Sequence, residues 1–262
     1  MKKKNKSPRI LLIDIETSPI IGFVWGLWDN NLGLNQIKQD WNILSVAAKW
    51  YGEKKVFYYD NSRAKNVHDD KKILENIIKL LDKSDIVIGH NIKKFDHKKI
   101  NARCAINKLP RPAPYKIIDT LTIAKKHFAL TSNKLEYLVD KLCGVQKSPH
   151  KKFPGQALWT ECLKGNKEAW AEMKKYNVND VIILEKLYKV LQKWDNTINF
   201  DLYSTTDEVK CNCGNTEFIK RGFSYTNDSK FQRFQCVECK SWYRGKVNLF
   251  SEEKRKSLKR GI

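Results

Sequence analysis

The sequence predicts an α/β protein: a mixed β-sheet with helices packed on it, followed by a small, separate β domain stapled by a metal. Three observations carry this. Short apolar runs rich in β-branched residues, at 10–13 and 86–88, end abruptly in polar residues, as buried strands do. Apolar residues at helical spacing lie between and after these runs, the order expected of a sheet covered by helices. Four of the seven cysteines then fall within residues 211–239, beyond a polar stretch.

The chain has 262 residues, room for one large domain or a medium one with a small appendage. Its 41% hydrophobic content suffices for a packed core. Fifty Lys and Arg stand against 29 Asp and Glu, a formal charge of +21. That excess points to a polyanionic partner, nucleic acid first; general solubility and acidic membrane surfaces are the alternatives. No apolar stretch reaches transmembrane length. Residues 2–9 look like the basic start of a signal peptide, but Asp14 cuts short the apolar run that follows, so none is expected. In the reducing cytoplasmic setting this implies, the cysteines are thiols or metal ligands and not disulfides.

Taken in order, residues 1–8 are a basic leader. Residues 10–13 run as a strand into Asp14, Ile15, Glu16 and Thr17. Side chains alternate along a strand, so Asp14 and Glu16 share a face. Two carboxylates side by side repel each other, and a hard divalent cation such as Mg²⁺ or Mn²⁺ relieves this; an acidic strand end that simply meets solvent is the plainer alternative. Residues 20–28, 43–51 and 56–59 read as neighbouring strands. Residues 69–82 form an amphipathic helix with Ile73, Leu74, Ile77, Ile78 and Leu81 on one face. The second buried strand, 86–88, ends at Gly89, which permits close backbone approach. Residues 96–107 read as a helix, and Pro110, Pro112 and Pro114 mark an extended loop. Helices follow at 119–128 and 133–142, the latter capped by Ser132-Asn133 with Glu136. Residues 146–153 are basic and irregular, and a long helix runs over 167–194. The organisation expected is an α/β domain at 9–198, a linker at 199–208, a β domain at 209–250 and a charged tail at 251–262.

Two further acids stand out. Asp96 follows the second buried strand, at a strand-to-helix junction where ligands commonly bind in α/β sheets; a helix cap is an equal reading. Asp180 lies four residues after Tyr176, on the same helical face. Val181, Ile182 and Leu184 set it near the core side, although a solvated helix position is the ordinary alternative. Together, Asp14-Ile15-Glu16-Thr17 on a first strand, Asn91-x-x-x-Phe95-Asp96 after a later one and Tyr176-x-x-x-Asp180 on a late helix resemble the three motifs of the DEDD superfamily. These are ribonuclease H-like 3′–5′ exonucleases. The tyrosine marks the subclass of polymerase proofreading domains; the histidine subclass would have His where this chain has Lys175. Ile118-Asp119-Thr120, Phe128 and Ser132-Asn133-x-Leu135 are similar to stand-alone exonucleases, many of them phage-encoded and akin to the exonuclease domain of family B DNA polymerases. The resemblance covers residues 9–194.

The resemblance implies two Mg²⁺ or Mn²⁺ ions held by Asp14, Glu16, Asp96 and Asp180, with Tyr176 positioning the attacking water. Thr17, Asn91 and Phe95 would belong to the substrate cleft, with core packing the alternative for Phe95. Asp119 would stand behind these groups or cap a helix. His90 and His97 have no matching role and read as structural or phosphate-facing. The implied activity is hydrolytic release of nucleotides from DNA 3′ ends, in the cytoplasm of a bacterium or an infected host cell, with a replication or polymerase partner. An RNA exonuclease, a structure-selective nuclease on the same fold, or a non-catalytic nucleic-acid-binding polymerase accessory protein are the alternatives. Basic residues 2–6, 93–99 and 147–152 would line a substrate track or form solvated surface.

Cys211-Asn212-Cys213-Gly214 and Cys236-Val237-Glu238-Cys239 form two paired-cysteine turns, the pattern of a zinc ribbon holding one structural Zn²⁺. The first pair departs from the usual spacing, with one residue between its cysteines. So small a domain needs such a staple. Arg221-Gly222-Phe223, residues 230–235 and Trp242-Tyr243-Arg244-Gly245 resemble the ribbons of some transposase-associated proteins. Their alternating basic and aromatic residues suit gripping nucleic acid and feeding a 3′ end to the cleft; docking a partner protein, or filling the ribbon's own core, competes. Cys104, Cys143 and Cys162 read as core or surface thiols.

Overall fold

The first strand, β1 (Ile10–Thr17), leads into a two-stranded ribbon, β2 (Ile21–Gly22) and β3 (Ile37–Gln39), and then into β4 (Ile43–Trp50) and β5 (Val56–Asp60). There follow α1 (Lys71–Leu81), β6 (Ile86–Gly89), α2 (Asp96–Ile106), β7 (Lys116–Asp119), α3 (Thr120–His127), α4 (Leu135–Cys143), α5 (Ala157–Leu163) and α6 (Lys167–Leu191). This computed structural model describes residues 7–28, 30–145, 152–205 and 207–259. Most of the basic leader, residues 147–151 of the expected track and the last residues of the tail lie outside the described residues. Two compact units are present, Arg9–Tyr188 and one that begins at Lys189. No helix among the described residues is long and apolar enough to cross a membrane.

The first unit is the α/β fold expected, with an RNase H-like mixed sheet of five strands in the order β5-β4-β1-β6-β7. β4 runs antiparallel to β1 and β5, while β6 runs parallel to β1 and β7. β1 is therefore central, and period-two alternation decides what it does. Leu11, Ile13 and Ile15 enter a core with Ile73, Leu74 and Ile77 of α1 and Ile100 of α2. Asp14 and Glu16 leave by the other face. A second core cluster joins Leu44 of β4 to Leu158 and Cys162 of α5 and Ala169, Trp170 and Met173 of α6.

α6 is keyed to β4 by polar contacts as well. Asn177 accepts from Ser45 Oγ at 3.0 Å. Two turns further on, Glu185 forms a buried ion pair with Lys49 and accepts from Gly52 N–H at 2.9 Å. On the opposite face, Asp70 at the start of α1 is wholly buried. Its carboxylate takes Arg103 Nε at 2.7 Å, Arg103 NH2 at 2.9 Å, Asn107 Nδ2 at 3.0 Å and Ile43 N–H at 2.9 Å. One anion thus ties α1, α2 and β4 together. Removing one partner of a buried pair strands the other charge, so Asp70→Ala is expected to cost about 3–5 kcal/mol, read as a lower urea midpoint with the secondary structure retained.

Three expectations are corrected. Residues 20–28 read as a strand, yet only Ile21–Gly22 pairs, with β3, and the residues beyond it stand in solvent. Their apolar composition imitated a strand without a sheet face to cover. β7 and α5 went unforeseen: β7 has four residues pressed between the proline loop and a helix cap, and α5 seven beside the irregular basic stretch. Finally, α4 starts at Leu135 with no side-chain cap; Ser132 Oγ instead accepts from Lys134 N–H at 3.3 Å, closing a turn before the helix.

The excursion that carries the β2–β3 ribbon is closed at its base. Ser18 N–H donates to Asn42 O, Ser18 Oγ donates to Asn42 Oδ1, and Asn42 N–H donates to Ser18 Oγ, each at 2.9 Å.

In the second unit, β8 (Phe218–Tyr225), β9 (Lys230–Cys236) and β10 (Trp242–Asn248) form an antiparallel sheet in the order β10-β9-β8, followed by α7 (Glu252–Ser257). The stretch expected as a linker contains a 3₁₀ turn, Phe200–Tyr203, with Phe200 buried. Asn212 fixes it, accepting from Phe200 N–H and donating to Ile198 O, both at 2.8 Å.

Candidate metal centres and cleft

Strands β1, β6 and β7 run parallel and end at one edge of the sheet, which is where α/β folds present side chains to ligands. A pocket of about 240 Å³ opens there, lined by Asp14, Ile15, Glu16, His90, Asn91, Phe95, Asp96, Leu135, Tyr176 and Asp180. Carboxylate oxygens of Asp14, Glu16 and Asp180 lie within 4.8 Å of one another. Such a set of hard oxygen donors fits a divalent cation, which would relieve the repulsion among three anions at this spacing.

Two of the carboxylates are held by neighbours. Asn177 Nδ2 donates to Asp14 Oδ2 at 2.6 Å and to Asp14 O at 3.1 Å, while its own oxygen faces Ser45. Trp159 of α5 donates from Nε1 to Glu16 Oε2 at 2.9 Å. The Trp159 ring meets that of Tyr176 edge to face, with centroids 5.9 Å apart, which braces the tyrosine from the side. Tyr176 and Asp180 lie one turn apart on α6. Asn177 and Trp159 were not foreseen. They act through hydrogen bonds to other residues' carboxylates, and no spacing rule encodes that; for Asn177 the one hint is its place beside Tyr176.

Asp96 stands apart from this tight cluster. It opens α2, but its Oδ1 accepts from Ile15 N–H at 3.1 Å, so the side chain turns back to β1. Burial, with help from the charge of Asp119, pushes its carboxyl up to about 7 against that hydrogen bond. A cation beside it would favour the ionised form. Asp119 caps α3 through Leu121 N–H at 3.0 Å and also accepts from Asn91 N–H at 2.9 Å and Lys93 N–H at 3.2 Å. It therefore clamps the loop between β6 and α2, where Asn91 holds a left-handed φ of 63°. Gly89 is required by packing: a Cβ there would sit 2.6 Å from Ile92 Cβ.

Phe95 is not in the core; it is 36% exposed and lines the pocket. Thr17 marks the end of β1, where the pairing with β4 shifts register, and is not among the lining residues. Both histidines are tied into the scaffold. His90 lies 2.9 Å from Thr120 Oγ1 and 2.9 Å from Asn133 O, and also borders the pocket. His97 Nδ1 lies 2.9 Å from Tyr115 OH.

In the second unit, the sulfurs of Cys211, Cys213, Cys236 and Cys239 lie within 4.8 Å of one another. Cys211 and Cys239 are 3.4 Å apart, and Cys213 and Cys236 are 3.7 Å apart. Thiolates around Zn²⁺ at about 2.3 Å define tetrahedron edges of about 3.8 Å, so the set fits such an ion. The one-residue gap in the first pair is accommodated by Gly214, at φ 95°, whose N–H donates to Cys211 O at 2.8 Å. Lys240, at φ 64°, occupies the corresponding place after Cys239. Burial pushes the Cys211 thiol up, whereas Cys239, although burial opposes it, is brought down to about 7 by hydrogen bonds with Ser241 and the neighbouring thiols. Cys104 and Cys162 are buried and Cys143 is half-buried, all three within the first unit.

A five-stranded mixed sheet with acids gathered where its central strand ends offers a place for divalent cations, whose chemistry includes activating water. Residues 32–192 match the RNase_H_2 family of the RNase_H superfamily, and the chain belongs to that superfamily. Comparison with curated protein sequences gives no match. Among solved structures, the chain is similar to the family B DNA polymerase from the hyperthermophilic archaeon Pyrobaculum calidifontis, at 13% sequence identity and a TM-score of 0.52. That similarity covers 72% of this chain and 26% of the polymerase chain, and it is a likeness of fold. Fold, family and acidic cluster together support a nuclease.

Proposed function

We propose that the chain is a metal-dependent 3′–5′ exonuclease of the DEDD tyrosine subclass, releasing nucleotides from DNA 3′ ends. The observation that carries this is the convergence of Asp14, Glu16, Asp96, Tyr176 and Asp180, from three separated motifs, on one pocket. Asp14, Glu16, Asp96 and Asp180 would hold the divalent ions, Mg²⁺ or Mn²⁺. When bound, these lower the pKa of water toward neutrality and screen charge on the leaving 3′ oxygen. The chain's own work is to place the reacting groups. Asn177 and Trp159 hold Asp14 and Glu16 in fixed orientations, so little rearrangement is left for the reaction itself. Tyr176 can accept and donate hydrogen bonds through one hydroxyl, which suits aligning a water for in-line attack. Phe95, exposed beside the carboxylates, offers a ring face to the terminal base, and Asn91 a polar edge.

The second unit is proposed to be a zinc ribbon with Cys211, Cys213, Cys236 and Cys239 as ligands and nucleic acid as its partner. Cations stack on its aromatic residues: Lys230 on Phe223 at 3.9 Å, Arg244 on Phe231 at 4.4 Å and Arg233 on Trp242 at 4.7 Å. Phe223 and Trp242 stay 39% and 50% exposed, leaving ring surface for bases.

The test is a 5′-labelled single-stranded DNA oligonucleotide incubated with the protein and Mg²⁺ or Mn²⁺, beside Asp14→Ala and a matched RNA. The expected result is a ladder shortening from the 3′ end that the variant does not produce. Equal ladders from both proteins would refute the assignment, and a stronger RNA ladder would change the substrate.

A further inference from the structure

Among the described residues of the first unit, exposed large apolar side chains gather in the β2–β3 excursion. Trp25 is fully exposed, and Phe23, Leu27, Trp28 and Leu34 are between 68% and 89% exposed. Apolar surface of this extent marks a binding face. Its occupant can be read from what adjoins it. Trp41, the last residue before the Ser18–Asn42 clasp, has Lys99 Nζ 3.7 Å from its ring centroid. The same Nζ lies 5.0 Å from the ring of Phe95, which lines the carboxylate pocket. One ammonium therefore joins two aromatic rings, and the row it makes begins in the cleft. Lys99 is partly desolvated, which lowers its pKa, and Asp40 opposes that by favouring the charged form. On the ribbon itself, Lys38 stands 5.8 Å from the Phe23 ring.

Ammonium groups set against rings at Phe95–Lys99–Trp41 and at Lys38–Phe23, continued by the exposed rings of Trp25 and Trp28, suit a ligand with flat π-faces and a negative charge at every repeat. Single-stranded nucleic acid is that ligand. Rings stack bases of any sequence and lysines meet the phosphates between them. A protein partner would use the apolar side chains but has no need of an ammonium set between the Trp41 and Phe95 rings where the row enters the cleft.

We propose that the Phe95–Lys99–Trp41 row and the β2–β3 excursion form a track for single-stranded nucleic acid, holding the nucleotides 5′ of the end that enters the cleft. This rests on the assignment of the pocket as a site for 3′ ends. The track makes affinity grow with strand length and selects unpaired over paired ends, because bases in a duplex have no free faces to stack.

The test compares the full chain with Trp25→Ala/Trp28→Ala, whose side chains are exposed, and with Trp41→Ala. Binding of fluorescein-labelled oligonucleotides of two and twelve nucleotides is followed by anisotropy with Ca²⁺ in place of Mg²⁺, and folding by circular dichroism. Removal of each stacking ring is expected to weaken the twelve-nucleotide strand about tenfold and to leave the two-nucleotide strand within about twofold. Lys99→Gln should flatten the salt dependence for the longer strand by about 0.7 in log–log slope. Wild-type affinity of folded Trp25→Ala/Trp28→Ala for the longer strand would overturn the track, as would equal losses for both lengths. So would self-association of the wild type that the double variant abolishes at unchanged oligonucleotide affinity, which would assign the face to a second copy. Hydrolysis of thymidine 5′-p-nitrophenyl phosphate separates the two readings. A wild type that does not hydrolyse it, yet binds long strands in a tryptophan-dependent way, keeps the track and loses the exonuclease; one that hydrolyses it while the variants bind normally does the reverse.

Discussion

Asp180→Asn is expected to fold normally and to lower metal-dependent phosphodiester cleavage by about 10³-fold or more, about 4 kcal/mol of barrier. The substitution keeps size and shape and removes one negative charge from a cluster whose oxygens lie within 4.8 Å. Asp180 is buried on α6, a 25-residue helix fixed to β4 through Asn177 and Glu185, so the backbone has no reason to move. What falls is affinity for the cation and with it the supply of nucleophile. Tyr176→Phe makes the informative contrast: it leaves every carboxylate in place and removes only the group that aligns water, a change of about 10²-fold on the scale of positioned proton-transfer groups. Single-turnover rates against Mn²⁺ concentration separate the two, because Asp180→Asn shifts the metal dependence and Tyr176→Phe lowers the plateau. Full activity in Asp180→Asn would remove this carboxylate from the mechanism.

The second large effect concerns the ribbon. β8 and β10 contribute no buried residue, and β9 contributes Cys236 alone. Sheets with so little interior do not offset the entropy of ordering their chain. On the proposed zinc assignment, stability comes from the four cysteines and the ion they would hold, since structural zinc sites show apparent binding free energies of about 10–16 kcal/mol. Stripping zinc with a thiol-competent chelator, or substituting Cys236→Ser, should therefore unfold residues 209–250 outright. Limited proteolysis would cut there while the unit over Arg9–Tyr188 stays protected, and the stripped protein should bind oligonucleotides more weakly and with a flatter salt dependence. One zinc released per chain on thiol titration is the expected stoichiometry; an intact ribbon after metal removal would mean that packing suffices.

Much of the architecture was legible because burial writes a period into the sequence. β1 and β6 announce themselves as apolar runs, and α1 buries all of its expected stripe, Ile73, Leu74, Ile77, Ile78 and Leu81, with Leu80 in addition. The same logic misled at residues 20–28, where apolar side chains serve a surface, and periodicity cannot tell a buried face from an exposed one. β7 and α5 were too short to express a period. Strand alternation pairs Asp14 with Glu16 and the helical turn pairs Tyr176 with Asp180, whereas joining these pairs to Asp96 rests on the family resemblance. Asn177 and Trp159 could not be placed, since their contacts with Asp14 and Glu16 link positions more than 140 residues apart. The cysteine turns were visible from spacing, but the αL residue that completes each, Gly214 and Lys240, obeys backbone geometry; only the glycine hinted at it.

The clasp between Ser18 and Asn42 makes the excursion between them an interchangeable cassette. Three hydrogen bonds close it at the neck, so the sheet sees the same two anchor residues whatever is strung between them. Doubling the length of a flexible loop adds only about 0.6 kcal/mol of closure entropy. Reach and chemistry at the rim can therefore be re-tailored, in descent or by grafting, without altering the strand that carries Asp14 and Glu16.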